Sequence, residues 1–171
     1  MGCSKLDKNI TQGGTANSTG TTLEKTAIGT LTSKGFELVN YREYEKNPQK
    51  HGNELLLQNV PFKSIYNHHG NTEFLIVSQK YDCRIRIECK WQQVNGSVDE
   101  KFPYVYLNCL EAMPENDIII IVDGGGAKQG AVDWLRKAAA GKLYTTPNTA
   151  SKNIRVFNIS EFIIWVNKSF K

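Results

Sequence analysis

Apolar residues keep two different rhythms along the chain, and the switches between them mark the elements. Leu23, Ala27, Ile28 and Leu31 recur at helical spacing between Thr21–Thr22 and Gly35, which predicts a capped helix over LEKTAIGTLTSKG. GNELLLQNV, TEFLIVSQK and CRIRIECKW read as strands, the last two joined by a tight turn at Lys80-Tyr81. A helix is predicted around residues 98–112, opened either by the capping box Ser97 to Glu100 or by Pro103. The continuous apolar run of DIIIIVD predicts a strand covered on both faces. A helix over GAVDWLRKAAAG, a strand over NIRVFNI and a closing helix capped by Asn158 or Ser160 complete the pattern. The order predicts an α/β fold, with a mixed central sheet of about five strands flanked by helices. Residues 1–20, rich in Gly, Thr, Asn and Ser, predict a flexible arm ahead of one domain over 21–171.

Composition narrows the class. At 171 residues and 40% hydrophobic, the chain can fill a core. No stretch approaches the roughly 18–20 apolar residues of a membrane span, and no apolar run at the start suggests a secretory signal. Cys3, Cys83, Cys89 and Cys109 form no C-x-x-C pair and no zinc spacing, so reduced thiols and a cytoplasmic location are expected. Residues 124–171 hold eight Lys and Arg against two acids, whereas residues 1–123 hold thirteen against fifteen. Such an asymmetry suits a polyanionic partner beside a separate acidic site, although a solvated charged surface would look the same.

The chemistry centres on Glu88-Cys89-Lys90. In a strand, Glu88, Lys90 and Gln92 share one side with Arg84 and Arg86, while Ile85, Ile87, Cys89 and Trp91 share the other. Charges on a central-looking strand are costly unless solvated, paired or functional. With Lys80-Tyr81 as the turn, Gln79 faces Asp82 and Glu73 faces Glu88. Cross-strand Cβ atoms stand about 4.5–5.5 Å apart, so the two carboxylates repel unless a cation lies between them. Paired hard oxygen ligands beside a lysine suit Mg²⁺ and phosphodiester hydrolysis. Asp82 stands six residues before Glu88, about 20 Å along the strand, too far to share that metal.

The arrangement of NTEF followed by RIECKWQ resembles the PD-(D/E)XK nuclease superfamily. Its members set an acid on one strand and a D/E-x-K triplet on the next, within an α-β-β-β-α-β core. Glu88 and Lys90 match the triplet, and Glu73 takes the place of the usual Asp, a departure from the pattern. Glu24 matches the additional acid many members carry on the first helix, and Gln92 the polar residue that often follows the lysine. The resemblance covers roughly residues 21–125 in element order. It implies a restriction-endonuclease-like fold and a metal-dependent DNA endonuclease. Glu73 and Glu88 would hold Mg²⁺, with Mn²⁺ as a substitute, and Lys90 would orient the attacking water. Cutting both strands needs two active sites, which implies a homodimer.

Other segments are less specific. Ser97, Asp99 and Lys101 are candidates for a DNA-facing cleft rim, with a plain helix cap as the rival reading. Asp123-Gly-Gly-Gly-Ala-Lys128 lacks both the Walker A and the dinucleotide spacing, so it reads as a turn or as a close approach to DNA. Lys128 and Lys137 are the further candidates for phosphate contact. His51, His68 and His69 read as surface-loop residues and the three tryptophans as core. Two alternatives stay open: a nucleic-acid-binding module without hydrolysis, and a nucleotide-binding α/β domain using the GGG loop.

Overall fold

The computed structural model describes residues 12–93 and 98–171. Helix α1 spans Gln12–Thr32 and buries the expected face of Leu23, Ala27 and Leu31. It begins ahead of Thr21–Thr22, so part of the arm expected over residues 1–20 is helical, and residues 1–11 lie outside the described ones. The chain continues as β1 (Glu37–Asn40), α2 (Tyr41–Lys46), a 3₁₀ turn (Pro48–Lys50), β2 (Glu54–Lys63), β3 (His69–Ser78) and β4 (Cys83–Trp91). Next come α3 (Val98–Glu111), β5 (Asp117–Asp123), α4 (Gln129–Ala140), β6 (Asn153–Phe157) and α5 (Ile159–Ser169).

The strands form one mixed sheet in the order β1-β2-β3-β4-β5-β6, one strand more than the pattern predicts. β2, β3 and β4 are an antiparallel meander, β4, β5 and β6 run parallel, and β1 lies parallel to β2 at the edge. The extra strand is β1, where only Val39 is buried; α2 buries nothing. Neither leaves an amphipathic trace. β1 is held by its ladder with β2, and Asn40 caps α2 by accepting the Arg42 N–H at 3.1 Å.

Helices cover both faces. α1 and α5 pack Leu23, Ala27, Leu31, Phe162 and Val166 against Phe74, Ile76, Ile85, Ile87 and Cys89. α3 and α4 pack Phe102, Tyr106, Cys109, Leu135 and Ala138 against Ile118, Ile120 and Val122 on the other side. β5 is thus sandwiched, and each of Ile118 to Ile121 is 0% exposed, worth about 1.5–3 kcal/mol per side chain. Asn158 opens α5 with a full capping box, accepting the Glu161 N–H while Glu161 accepts its own N–H. Trp91, Trp134 and Trp165 pack against these cores, and Cys83, Cys89 and Cys109 are free thiols. No helix among the described residues is long and apolar enough to cross a membrane.

Candidate active site

The β3–β4 hairpin carries the site. Its ladder pairs Ser78 with Cys83 and continues to Phe74 with Ile87, the register that a turn at Lys80-Tyr81 predicts. Asp82 closes that turn, its N–H donating to the Gln79 carbonyl at 3.3 Å with φ at 45°. It is exposed at the hairpin tip. One step beyond Phe74 and Ile87 the ladder stops. There the Cys89 N–H donates to Glu73 Oε2 at 2.7 Å, so a carboxylate stands where β3 backbone would otherwise accept.

β2 is distorted at the same level. Asn59, between the Gln58–Phe74 and Val60–Thr72 pairs, has φ of 60°. Its left-handed conformation resets the side-chain alternation, and Leu57 and Val60 consequently enter one core cluster with Leu75. Thr72 is buried with them, and its hydroxyl accepts from Arg86 Nη1 at 2.9 Å. Arg86 also donates to the Val60 carbonyl at 3.2 Å and to the Glu115 carboxylate. The solvated-face reading therefore holds for Arg84, whose side chain is 57% exposed, and fails for Arg86, at 2%. One buried guanidinium joins β2, β3 and β4 to the segment entering β5, immediately below Glu73 and Glu88.

Glu88 is itself buried. Its Oε1 pairs with Lys90 Nζ, and its Oε2 is buried without a hydrogen-bond partner. Burial and then the charge of Glu88 push the Glu73 carboxyl up to about 7, against the opposing pull of Lys90 and the Cys89 N–H. Burial works to depress the Lys90 ammonium, but Glu88 and Glu73 together overcome it and raise its pKa. Two carboxylates and one cation thus share a poorly hydrated pocket, with one oxygen left unsatisfied.

The sequence profile of the PD-(D/E)XK nuclease superfamily domain matches residues 15–170. The chain belongs to the PD-(D/E)XK nuclease superfamily. No curated protein matches it. The mixed sheet flanked by helices is the fold of this superfamily, whose activity is nuclease chemistry on nucleic acid.

Such nucleases typically use divalent metals, and the donors present fit one. Glu88 Oε2 is an orphaned buried acceptor, and Glu73 lies beside it with a carboxyl raised by burial first and by the Glu88 charge second. No group of three His, Cys, Asp or Glu at metal-ligand spacing exists among the described residues. Glu73 and Glu88 would be the two carboxylates available to such an ion, and hard oxygen donors are what a hard divalent cation takes.

The remaining expected residues of this PD-(D/E)XK domain fall in different places. Glu24 is on α1, which packs on the Cys89 side of β4; burial raises its carboxyl, and burial first, then the charges of Glu73, Glu88 and Glu24, raise the Cys89 thiol. Gln92 follows β4, its N–H donating to the Asp123 carbonyl at 3.0 Å and its carbonyl accepting from Gly126 at 2.7 Å. A Cβ on Gly124, where φ is +104°, would lie 2.3 Å from that same carbonyl. Packing against β4 therefore accounts for this glycine without any bound phosphate. Lys101 and Lys128 are exposed in the first turn of α3 and at the N-cap of α4. Asp99 accepts the Lys128 N–H at 3.2 Å, and Ser97 lies outside the described residues. Lys137 is in the last turn of α4, about 13 Å along the helix from Lys128. His68 and His69 are exposed as expected. His51 is not a surface residue: its side chain is 7% exposed, with Nδ1 at 3.1 Å from Glu37 Oε1.

Arg86, Thr72 and Asn59 are the site neighbours that sequence reasoning missed. Arg86 bonds Glu115 across 29 positions, and a left-handed asparagine inside a strand has no periodic signal.

Proposed function

We propose that this protein is a Mg²⁺-dependent DNA endonuclease in which Glu73 and Glu88 hold the metal, with Mn²⁺ able to replace it. The observation carrying this reading is the buried, unpartnered Oε2 of Glu88 beside the raised carboxyl of Glu73. Held by Glu73 and Glu88, a divalent ion would supply charge neutralisation at the scissile phosphate and a more acidic water. Lys90 holds its positive charge beside the two acids, orients the attacking water and offsets charge developing on the phosphate. Glu73 is kept in place by the Cys89 N–H. Glu24, on α1, and Gln92, after β4, are the further members of the proposed catalytic set. Lys101 and Lys128 face the DNA backbone, with Ser97 a further proposed contact, while Lys137, at the other end of α4, contributes only long-range attraction. A homodimer supplies the two sites needed for both strands, and the protein works in the cytoplasm.

Incubation with plasmid, linear and branched DNA in Mg²⁺, Mn²⁺ or EDTA tests this. Cleavage that needs the metal and disappears in Glu88→Ala is expected. Binding to DNA without cleavage in any metal would replace the endonuclease with the inactive binding module.

A further inference from the structure

An aromatic pair stands at the same end of the sheet as the acids and has no part in the core. Tyr66, in the β2–β3 turn, is 63% exposed. Its ring stacks on Tyr104 of α3, with centroids 5.0 Å apart and planes at 29°, and His68 meets its edge at 6.3 Å. An exposed tyrosine loop would ordinarily sample many rotamers, but this one is built. Ser64 N–H donates to the His68 carbonyl at 2.9 Å, and Asn67 N–H to the Ser64 carbonyl at 2.8 Å. Asn108, 1% exposed, accepts the Ile65 N–H at 3.0 Å and donates to the Tyr104 carbonyl at 2.8 Å. One buried amide therefore ties the loop to the helix turn beneath the second ring, and the ordering entropy is met before any ligand arrives.

The surroundings select the ligand. The other exposed large hydrophobics among the described residues are Leu38, Leu143, Tyr144 and Ile164, on β1, beyond α4 and on α5, so no apolar patch extends from Tyr66. A protein interface needs far more apolar contact than one ring pair, whereas a nucleobase needs a single π face. Lys63, Lys101, His68 and His69 are exposed around the pair. Asp99 is turned to the Lys128 amide, which leaves Glu100 as the acid of this rim. β3 starts at His69, four residues before Glu73, or about 13 Å at ~3.3 Å per residue. From the foot of the turn that carries Tyr66 to the acid is thus about four nucleotides of stacked strand at ~3.4 Å each.

We propose that Tyr66, stacked on Tyr104, is a platform for an unpaired base of the DNA entering the Glu73–Glu88 site, so that the substrate carries a single-stranded stretch beside the cut. This rests on the nuclease reading for the path of the DNA, but the platform itself is testable by binding alone. Fluorescence anisotropy in EDTA, where nothing is cut, compares a labelled single strand, a forked duplex and a blunt duplex. Wild type should prefer the first two. Tyr66→Ala should weaken both by about 5- to 150-fold, the range for losing one stacked base, and leave the blunt duplex within about two-fold. Tyr66→Trp should restore the preference, which separates stacking from loop structure. Equal losses on all three DNAs, or none, would overturn the platform. Selective loss in EDTA together with no cleavage in any metal would uphold the platform and remove only the nuclease.

Discussion

The Cys89 amide donates to Glu73 Oε2 at 2.7 Å, at the first position where β3 no longer pairs with β4. The strands part, and a carboxylate fills the gap instead of a backbone carbonyl. This sets Glu73 beside Glu88 and Lys90, whose charges act on it, while Asp82 is left at the far tip of the hairpin.

Substitutions should follow that division. Lys90→Ala is expected to cut metal-dependent cleavage by roughly 10²–10⁴-fold while DNA affinity persists. Glu73→Ala should lose metal binding and activity together, Glu73→Asp should keep substantial activity, and Asp82→Ala should stay within a few-fold of wild type. Metal titration by calorimetry and plasmid cleavage read both properties. A dead Asp82→Ala beside an active Glu73→Ala would reverse the assignment of the first acid.

The metal-free protein should lose stability as pH rises. Glu73 has its carboxyl raised from 4.5 to about 7, by burial first and by the Glu88 charge second. The folded state thus holds that proton more tightly than the unfolded chain. Its contribution is full below the unfolded pKa and is lost as pH climbs through about 7. Thermal melts in EDTA should show this fall and Glu73→Gln should flatten it. Mg²⁺ competes with the proton, so its stabilising effect should be larger at about pH 8 than at about pH 5.5.

The clamp beneath the acids should be separable from them. Arg86→Met leaves Glu115 buried without its main partner and should cost about 3–5 kcal/mol. Thr72→Val removes only a hydroxyl that Arg86 bonds and should cost about 1–3 kcal/mol. Because Thr72 adjoins Glu73, this milder variant should also lower cleavage, and Thr72→Ser should recover it. Denaturant unfolding and cleavage assays on the same preparations distinguish a folding defect from a displaced acid.

Salt dependence should map the lysines proposed to face DNA. Lys101 and Lys128 stand at the acid-bearing end of the sheet, and Lys137 at the other end of α4. Neutralising the first two together should flatten the plot of log affinity against log salt by up to about two units. Neutralising Lys137 should leave the slope unchanged. An equal effect from Lys137 would mean that DNA runs along α4 instead of across its N-terminus.

The sequence alone determined whatever depends on neighbours a few residues away. Alternation in TEFLIVSQK and CRIRIECKW together with a two-residue turn settles the hairpin register from Ser78–Cys83 to Phe74–Ile87. The ladder ends one step short of the expected Glu73–Glu88 pair, where Glu73 accepts the Cys89 N–H instead. The unbroken run of isoleucines likewise announces a strand buried on both faces. Only the tertiary structure decided the rest, because the deciding partners come from distant elements. Arg86 looks like a solvated neighbour of Arg84 until Glu115 and Thr72 close around it. Gly124 looks like part of a phosphate loop until the Gln92 carbonyl occupies the space of its Cβ. β1 buries one side chain, too few for a period, and exists because β2 offers it a ladder. Lys128 and Lys137 are close in sequence, but the helix axis carries them to opposite ends of α4. Periodicity records which side of an element avoids water; what waits on that side is set by packing over the whole chain.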